Sequence, residues 1–450
     1  MSAIDPSIFE FINVTSTDGT STVDIAGGVV ALSYFEDVFS PNISAKFLVI
    51  NTGNVINGKS VYQGLPLRGG ERVDMKITNP SGPDLEFTEK NENELYVASV
   101  SDVLVDAERE VFTLNCVSRE ALANETSRVG KRFGSKISSS VTEIVEEFLG
   151  SKKNVEVDPT QNDYKFLGNM KKPFTTLIWL ASKAVPGGDS TNTNAVSGAG
   201  GKSSTAGYFF YESRKGFHFK SVDALCTQEP VGNTYVFQPG IVDVDDPNKD
   251  FRIISHSTNK NQNLVENLER GAYASQRVFY DPRNGTFTSQ TQGTFTVSKA
   301  AENTNNLGRK FEINLPKDKN TGKQLNDIPS RLITGVLDIG TLEKEEKNSA
   351  KKNADPMETL SQSAMRYNMM FIIETVVTIP LNTNLIAGNL IDCKFVKITE
   401  EKQKEPDEET SGLYMIKELV HYYESNGSYT KLKLIRDTQG KRDKWLKIIY

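Results

Sequence analysis

The sequence predicts an α+β fold, mainly β, built on two copies of one antiparallel β-domain with a helix-containing section between and beside them. Three observations predict it. Apolar and polar residues alternate with period 2 in several stretches near both ends of the chain. Two apolar stripes at helical spacing lie between those stretches. A segment near residue 70 is echoed near residue 390 at an offset of 318 residues.

The chain has 450 residues, which at about 150 per domain gives a prior of roughly three domains. Hydrophobic residues make up 37% and charged residues 24%, the composition of an ordinary globular protein. The net charge of −6 argues against a grip on nucleic acid, which requires cations on phosphates. The most apolar stretch, Met369 to Pro380, is too short to span a bilayer and is broken by Glu374. The first residues carry Asp5 and Glu10 and no basic start, so they do not read as a signal peptide. The sequons at Asn13, Asn42, Asn124, Asn284 and Asn426 therefore read as chance matches.

Ile43, Ala45, Phe47 and Val49 alternate with polar neighbours and define a first strand. Val73, Met75 and Ile77 define another, and Phe112, Leu114 and Cys116 a third. Asn79-Pro80-Ser81-Gly82-Pro83 is a turn between strands. Ser140-x-x-Glu143 reads as a capping box, followed by the stripe Val141, Ile144, Val145, Phe148 and Leu149 and a stop at Gly150. A second helix begins at Pro173 and buries Phe174, Leu177, Ile178, Ala181, Ala184 and Val185, ending at Pro186-Gly187. The run 187–207 has linker composition. Strand patterns resume from Tyr208 to about Val236, with His218 on the polar face. The stretch 241–355 mixes a helix near Leu264–Leu268, a hairpin signal at Asn284-Gly285 and a charge run, Glu343 to Lys352. Asp355-Pro356 starts another helix. Four strands follow, over 371–379, 390–398, 413–423 and 429–436.

No catalytic, cofactor-binding or metal-binding residue is assigned, and no cofactor is expected. His218, His256 and His421 lack metal-like spacing. Cys116, Cys226 and Cys393 lie far apart and read as small buried hydrophobes. Gly200-Gly201-Lys202-Ser203 is not a phosphate loop, because Val196 stands where the motif needs glycine.

The internal repeat is the most informative feature. Leu67-x-x-Gly70-x-x-Val73-Asp74-x-Lys76-Ile77 aligns with Leu385-x-x-Gly388-x-x-Ile391-Asp392-x-Lys394-Phe395. At the same offset Leu95-Tyr96-Val97 meets Leu413-Tyr414-Met415, and Leu114 meets Leu432.

The segments Leu385-x-x-Gly388-x-x-Ile391-Asp392-Cys393, Gly412 to His421 and Tyr429-x-x-Leu432-x-Leu434 resemble the last β-domain of central baseplate hub proteins of contractile-tailed bacteriophages, of the T-even-like, cyanophage type. The motif likeness covers 67–119, 118–185 and 360–437. The resemblance implies two tube-like antiparallel β-barrel domains related by internal duplication. It places the first at 1–117. A helical section with a Gly/Ser-rich loop follows at 118–206, and the second barrel occupies 207–240 and 365–437. A mixed α/β section fills 241–364, and a basic tail runs from 438 to 450. The implied function is structural. Three chains form a ring of pseudo-sixfold symmetry that adapts a sixfold tail tube to a threefold spike and lines part of the DNA channel. The implied partners are two further copies, the trimeric spike and a tube or tube-initiating protein, with tape measure and wedge proteins beyond them. No membrane anchor and no sequence-specific nucleic acid are expected. The implied location is the virion tail baseplate, assembled in the host cytoplasm. An acidic chain would suit a channel that DNA must traverse without sticking. Two alternatives remain at this stage: a tail-associated cell-wall hydrolase or peptidase, and a β-rich host-binding adhesin. The first lacks a visible carboxylate pair or metal triad. The second lacks clustered exposed aromatics; Trp179 and Trp445 stand alone. The tail 441–450 is expected to dock on an acidic neighbour, and Glu400 to Glu409 to form a solvated loop.

Overall fold

The computed structural model describes residues 6–51, 60–65, 67–105, 109–161, 163–187, 206–237, 249–260, 263–282, 284–287, 294–297, 305–311, 313–337, 356–397, 406–424 and 427–440. The linker run 188–205, the charge run 343–352, the cap at Asp355, most of the acidic loop and the tail 441–450 lie outside them. The fold is α+β and mainly β.

The first unit contains β1 (Ile8–Thr15), β2 (Val29–Asp37), β3 (Ser44–Asn51), β4 (Arg72–Thr78), β5 (Leu95–Val105) and β6 (Glu110–Ser118). Their order in the sheet is β2–β3–β6–β5–β4–β1, all antiparallel. Alternation sets the buried face: Ala45, Phe47 and Val49 on β3, Val73, Met75 and Ile77 on β4, and Phe112, Leu114 and Cys116 on β6 all enter one core.

A helical section follows, with α1 (Arg119–Thr126), α2 (Ile137–Glu143) and α3 (Pro173–Ala181). It packs against the hairpin β7 (Tyr208–Ser213) and β8 (Gly216–Ser221), which leads into α4 (Val222–Thr227). Here several expectations need correction. The helix α2 starts a turn before the expected capping box. Ser140 lies inside it, buried, with its hydroxyl donating to the Lys136 carbonyl, and Glu143 pairs instead with Lys131. The reason is Ile137, which is fully buried and extends the apolar stripe by a turn. A π-turn, Ile144–Phe148, continues the helix to Leu149, and Gly150 at φ +59 then stops it as expected. The helix α3 ends at Ala181, not at Pro186-Gly187, and it buries Leu180 while Ile178 is 48% exposed. The stretch 208–236 is interrupted by α4.

The hairpin β7–β8 is buried on both faces. Phe210 and Phe217 meet the helices, while Phe209 and Tyr211 enter a third cluster with Leu225, Leu390 and Met415. Period-2 reasoning therefore misplaced His218, which is buried and ring-stacked on Tyr211 at 4.9 Å.

After a short strand Tyr235–Phe237 come β9 (Ser255–Lys260), α5 (Leu264–Glu269), β10 (Ala274–Asp281), β11 (Arg331–Val336) and α6 (Pro356–Met369). The Asn284-Gly285 turn joins β10 to Thr286–Phe287 as a hairpin, and β11 lies parallel to β10. The last strands are β12 (Ile373–Pro380), β13 (Leu390–Lys394), β14 (Gly412–Glu424) and β15 (Gly427–Arg436). Their ladder runs β9–β12–β15–β14–β13, again all antiparallel.

That order repeats the first unit strand for strand: β9 answers β2, β12 answers β3, β15 answers β6, β14 answers β5 and β13 answers β4. The repeat extends to single hydrogen bonds. The Gly70 amide donates to the Val97 carbonyl at 2.7 Å, and the Gly388 amide donates to Ile416 at 2.8 Å. Val97 N–H returns to the Glu71 carbonyl, and Ile416 N–H returns to Asn389, each at 2.9 Å. A bulge follows in both copies, between Val97 and Ser99 and between Ile416 and Glu418. These contacts pair Val97 with Ile416, so the alignment of Leu95-Tyr96-Val97 with Leu413-Tyr414-Met415 was one residue out of register. A slip of one residue exchanges the faces of a strand. Leu95 and Val97 correspond to Tyr414 and Ile416, all four in the core. The match of Leu114 with Leu432 stands.

Candidate functional site

Most of the groups able to do chemistry stand apart; Ser213, His218 and Glu156 come together, with the Ser213 hydroxyl and the His218 ring buried. The three cysteines are buried thiols outside any disulfide. His421 lies in the core with Nδ1 2.9 Å from the Thr430 hydroxyl, and burial lowers its pKa to about 3. His218 sits 2.8 Å from the Ser213 hydroxyl and 3.2 Å from Glu156. His256 lies on β9 against Phe237 and Phe395. Among the described residues no group of three His, Cys, Asp or Glu could hold a metal ion, and no helix is long and apolar enough to cross a membrane. A cleft of about 300 Å³ is lined by Arg309, Lys310, Phe311, Ile372, Asp437 and Gln439, and its carboxylate, Asp437, is already held by Arg366 and the Leu307 amide.

What the fold does bring together is the seam between its two repeated units. Strand β2 of the first unit pairs antiparallel with β14 of the second, from Asp37 opposite Glu418 to Ala31 opposite Glu424. One sheet thus runs through both units, and one core lies behind it, shared by Leu32 and Tyr34 with Leu419 and Tyr423. Across the seam Tyr34 lies 6.1 Å from the His421 ring, stacked.

Glu36 locks this seam. Its carboxylate accepts from Tyr34 OH at 2.9 Å, from the Arg214 amide at 2.8 Å and from the Ala387 amide at 2.8 Å. Burial raises its pKa, and the three donors pull it back. Ala387 belongs to the glycine loop of the second unit. In the first unit the equivalent amide, Gly69, is bonded by Glu71 of its own loop at 2.9 Å. The second loop carries Asn389 at that place, whose side-chain oxygen accepts from Ile386 N–H at 3.1 Å. Glu36 therefore supplies from across the seam the carboxylate that the first loop supplies itself. The sequence held the signal: Glu36 follows Leu32 and Tyr34 on the core-facing register of β2, an uncommon place for a carboxylate.

Two further buried charge clusters brace the units. Lys153 binds Glu120 and Glu212 at 2.7 Å each, joining the helical section to β7. Burial alone would raise both carboxyls; Lys153 outweighs it at Glu120, and Glu212 stays raised. Glu212 also accepts from Ser118 and from the Ile43 amide, which ties the hairpin to β3 and β6. Arg366 on α6 lies 3.2 Å from Asp437 and 3.5 Å from Asp223. Neither cluster leaves a signal in the sequence, since the bonded members are 33 to 143 residues apart and each is unremarkable alone.

No protein-family model matches the sequence, and no curated protein matches it. Solved structures do. A 43 kDa tail protein of prophage MuSo2 from Shewanella oneidensis aligns over 95% of this chain and 100% of its own at 10% identity, with a TM-score of 0.49. The prophage tail protein gp18 from Listeria monocytogenes aligns over 95% of each chain at 8% identity, with a TM-score of 0.45. The tail protein of Neisseria meningitidis MC58 aligns over 96% of this chain and 97% of its own, at 9% identity and a TM-score of 0.52. Along nearly its whole length, this chain has the fold of that tail protein.

Proposed function

We propose that this chain is a structural component of a phage-type tail, and specifically the homotrimeric central hub of a baseplate. The observation that carries the reading is the duplicated unit, reproduced down to the glycine-loop hydrogen bonds and the following bulge. A duplicated unit lets three chains offer six similar positions around an axis. A ring of that kind matches a sixfold tube on one side and a threefold spike on the other. The tail-protein fold supports the same setting. The division into two tube-like domains, 1–117 and 207–240 with 365–437, belongs to this proposal, as do the spike and tube partners, the virion location and the DNA-channel role. The burial of Ser213 and His218 away from any substrate, and the buried charge clusters that satisfy one another, favour a scaffold over an enzyme.

The test is light scattering on the purified protein, followed by particle imaging. Three chains per particle and a ring of six similar lobes are expected. A strict monomer at high concentration, with no ring formed in the presence of a trimeric spike, overturns the reading.

A further inference from the structure

The seam inside the chain is half of a repeating pattern, and the other half is unoccupied among the described residues. Strand β2 adds to the open edge of β14 just past its bulge. The corresponding edge of β5, from Ala98 to Val105, bonds β6 on one side and has no ladder partner on the other. Strand β9, which answers β2, has β12 as its one ladder partner among the described residues. One chain thus carries a strand shaped to add to an edge and, at its other end, the matching edge. The two are the equivalents of partners already joined once.

The side chains agree. Val103, Leu104 and Val105 are 37%, 69% and 68% exposed on this edge, beyond a bulge that holds Asp102 at φ +55°. Superimposing the ladders gives a register. Leu104 corresponds to Tyr422 through their partners Val111 and Tyr429, and Ser257 corresponds to Ser33 through Val376 and Lys46. Since Tyr422 faces Ser33, Leu104 would face Ser257 and Val105 would face His256, and on the other side of a second bulge, between Ser101 and Leu104, which β14 lacks, Val100 would face Lys260. Val105 would then cover the apolar group formed by His256, Phe237 and Phe395.

Charge gives a second match. Lys260 occupies on β9 the place of Glu36 on β2. Glu36 serves a loop whose own side chain is the neutral Asn389. The loop beside β5 carries Glu71 instead. A carboxylate facing a neutral loop in one seam becomes a lysine facing an acidic loop in the other.

We infer that β9 of one copy of this chain adds antiparallel to the β5 edge of a second copy, reproducing between chains the β2–β14 seam found within each. The contact is head to tail, and with a rotation of one third of a turn per copy it closes a ring of three that leaves neither edge open. The inference rests on the trimeric hub reading and names the interface that reading needs.

The test uses the full chain carrying Leu104→Cys together with Ser257→Cys, both surface positions, the native cysteines being buried. Cross-strand neighbours lie within disulfide reach. Mild oxidation is expected to give covalent dimers and trimers on a non-reducing gel, and neither single variant should do so. Separately, Val105→Lys and Lys260→Glu are each expected to weaken self-association at least tenfold by light scattering, with the thermal midpoint of the monomer little changed. Trimers that form without cross-linking and tolerate both substitutions overturn the interface but leave the hub reading standing. A protein that is monomeric throughout overturns both.

Discussion

At the residue scale, two buried titratable groups at the seam have opposite consequences for pH. His421 titrates near 6.5 in an unfolded chain but at about 3 when folded, because burial disfavours its cation and Arg214 adds repulsion. The folded state therefore binds fewer protons between those values. The stability from the neutral ring is complete above pH 6.5 and is lost as pH falls toward 3. Between pH 7 and 4.5 this amounts to about 2–3 kcal/mol. In His421→Gln that part of the acid sensitivity should vanish, measured as urea midpoints at the two pH values. An unchanged difference between midpoints would count against it. Glu36 shifts the other way, upward, so its charge costs stability as pH rises through its folded pKa. Replacing it by Gln removes the charge yet turns one acceptor into a donor. That donor must face either the Ala387 amide or the pair Tyr34 OH and Arg214 N–H. A donor set against a buried donor costs about 1–3 kcal/mol, so Glu36→Gln should destabilise at pH 7 despite the lost charge. A more stable Glu36→Gln protein would show that the bonds matter less than the burial.

At the element scale, the two glycine loops are copies that have diverged in surroundings, and substitution separates the shared requirement from the local one. Gly70 and Gly388 both adopt left-handed φ, +94° and +85°. A side chain in that region costs about 1 kcal/mol. A Cβ on Gly70 would meet only Thr17 Cγ2, at 3.5 Å, whereas on Gly388 it would lie 2.3 Å from the Tyr211 hydroxyl. Gly70→Ala should therefore cost about 1 kcal/mol, and Gly388→Ala about 3 kcal/mol once the overlap is added. Equal losses in denaturant titrations would contradict this. The glycines were legible in the sequence because backbone geometry restricts which residue can stand there. So were strands such as β3, β4 and β6, each with one buried face and one solvated one. The hairpin β7–β8 was not fully legible: both faces are buried, so alternation carries no information and His218 was put outside. The start of α2 was misread because Ser140-x-x-Glu143 fits a cap equally well inside the helix, and only Ile137 in the core decides. The one-residue slip of the repeat arose in the connection before β14, where hydrophobic identity continues through Leu413, Tyr414 and Met415 and only the ladder fixes the face.

At the scale of the whole molecule, the second unit is interrupted where the first is continuous. Strands β2 and β3 are joined directly, whereas their counterparts β9 and β12 are separated by α5, β10, β11 and α6. Such an insertion must be anchored, or it would pull β9 from β12 and take with it the strand that the proposed ring requires. The anchor is Arg366. It reaches from α6 to Asp437, just past β15, and to Asp223 on α4, and its guanidinium also donates to the Asn305 carbonyl at 3.0 Å. All three charged side chains are fully buried. A buried network of this kind adds little net stability compared with an apolar replacement of the whole set, but removal of one member strands the others. Arg366→Met leaves two buried carboxylates without their shared cation and should cost about 3–5 kcal/mol. Adding Asp437→Asn and Asp223→Asn should recover part of that loss, because the stranded charges go with them. The readout is a urea midpoint for the single and the triple variant, at low and at high salt. The difference should persist at high salt, since fully buried charges are poorly screened. A single variant as stable as the parent would mean that the insertion is held elsewhere. A triple variant less stable than the single would mean that the carboxylates serve contacts of their own, such as the bond from the Leu307 amide to Asp437.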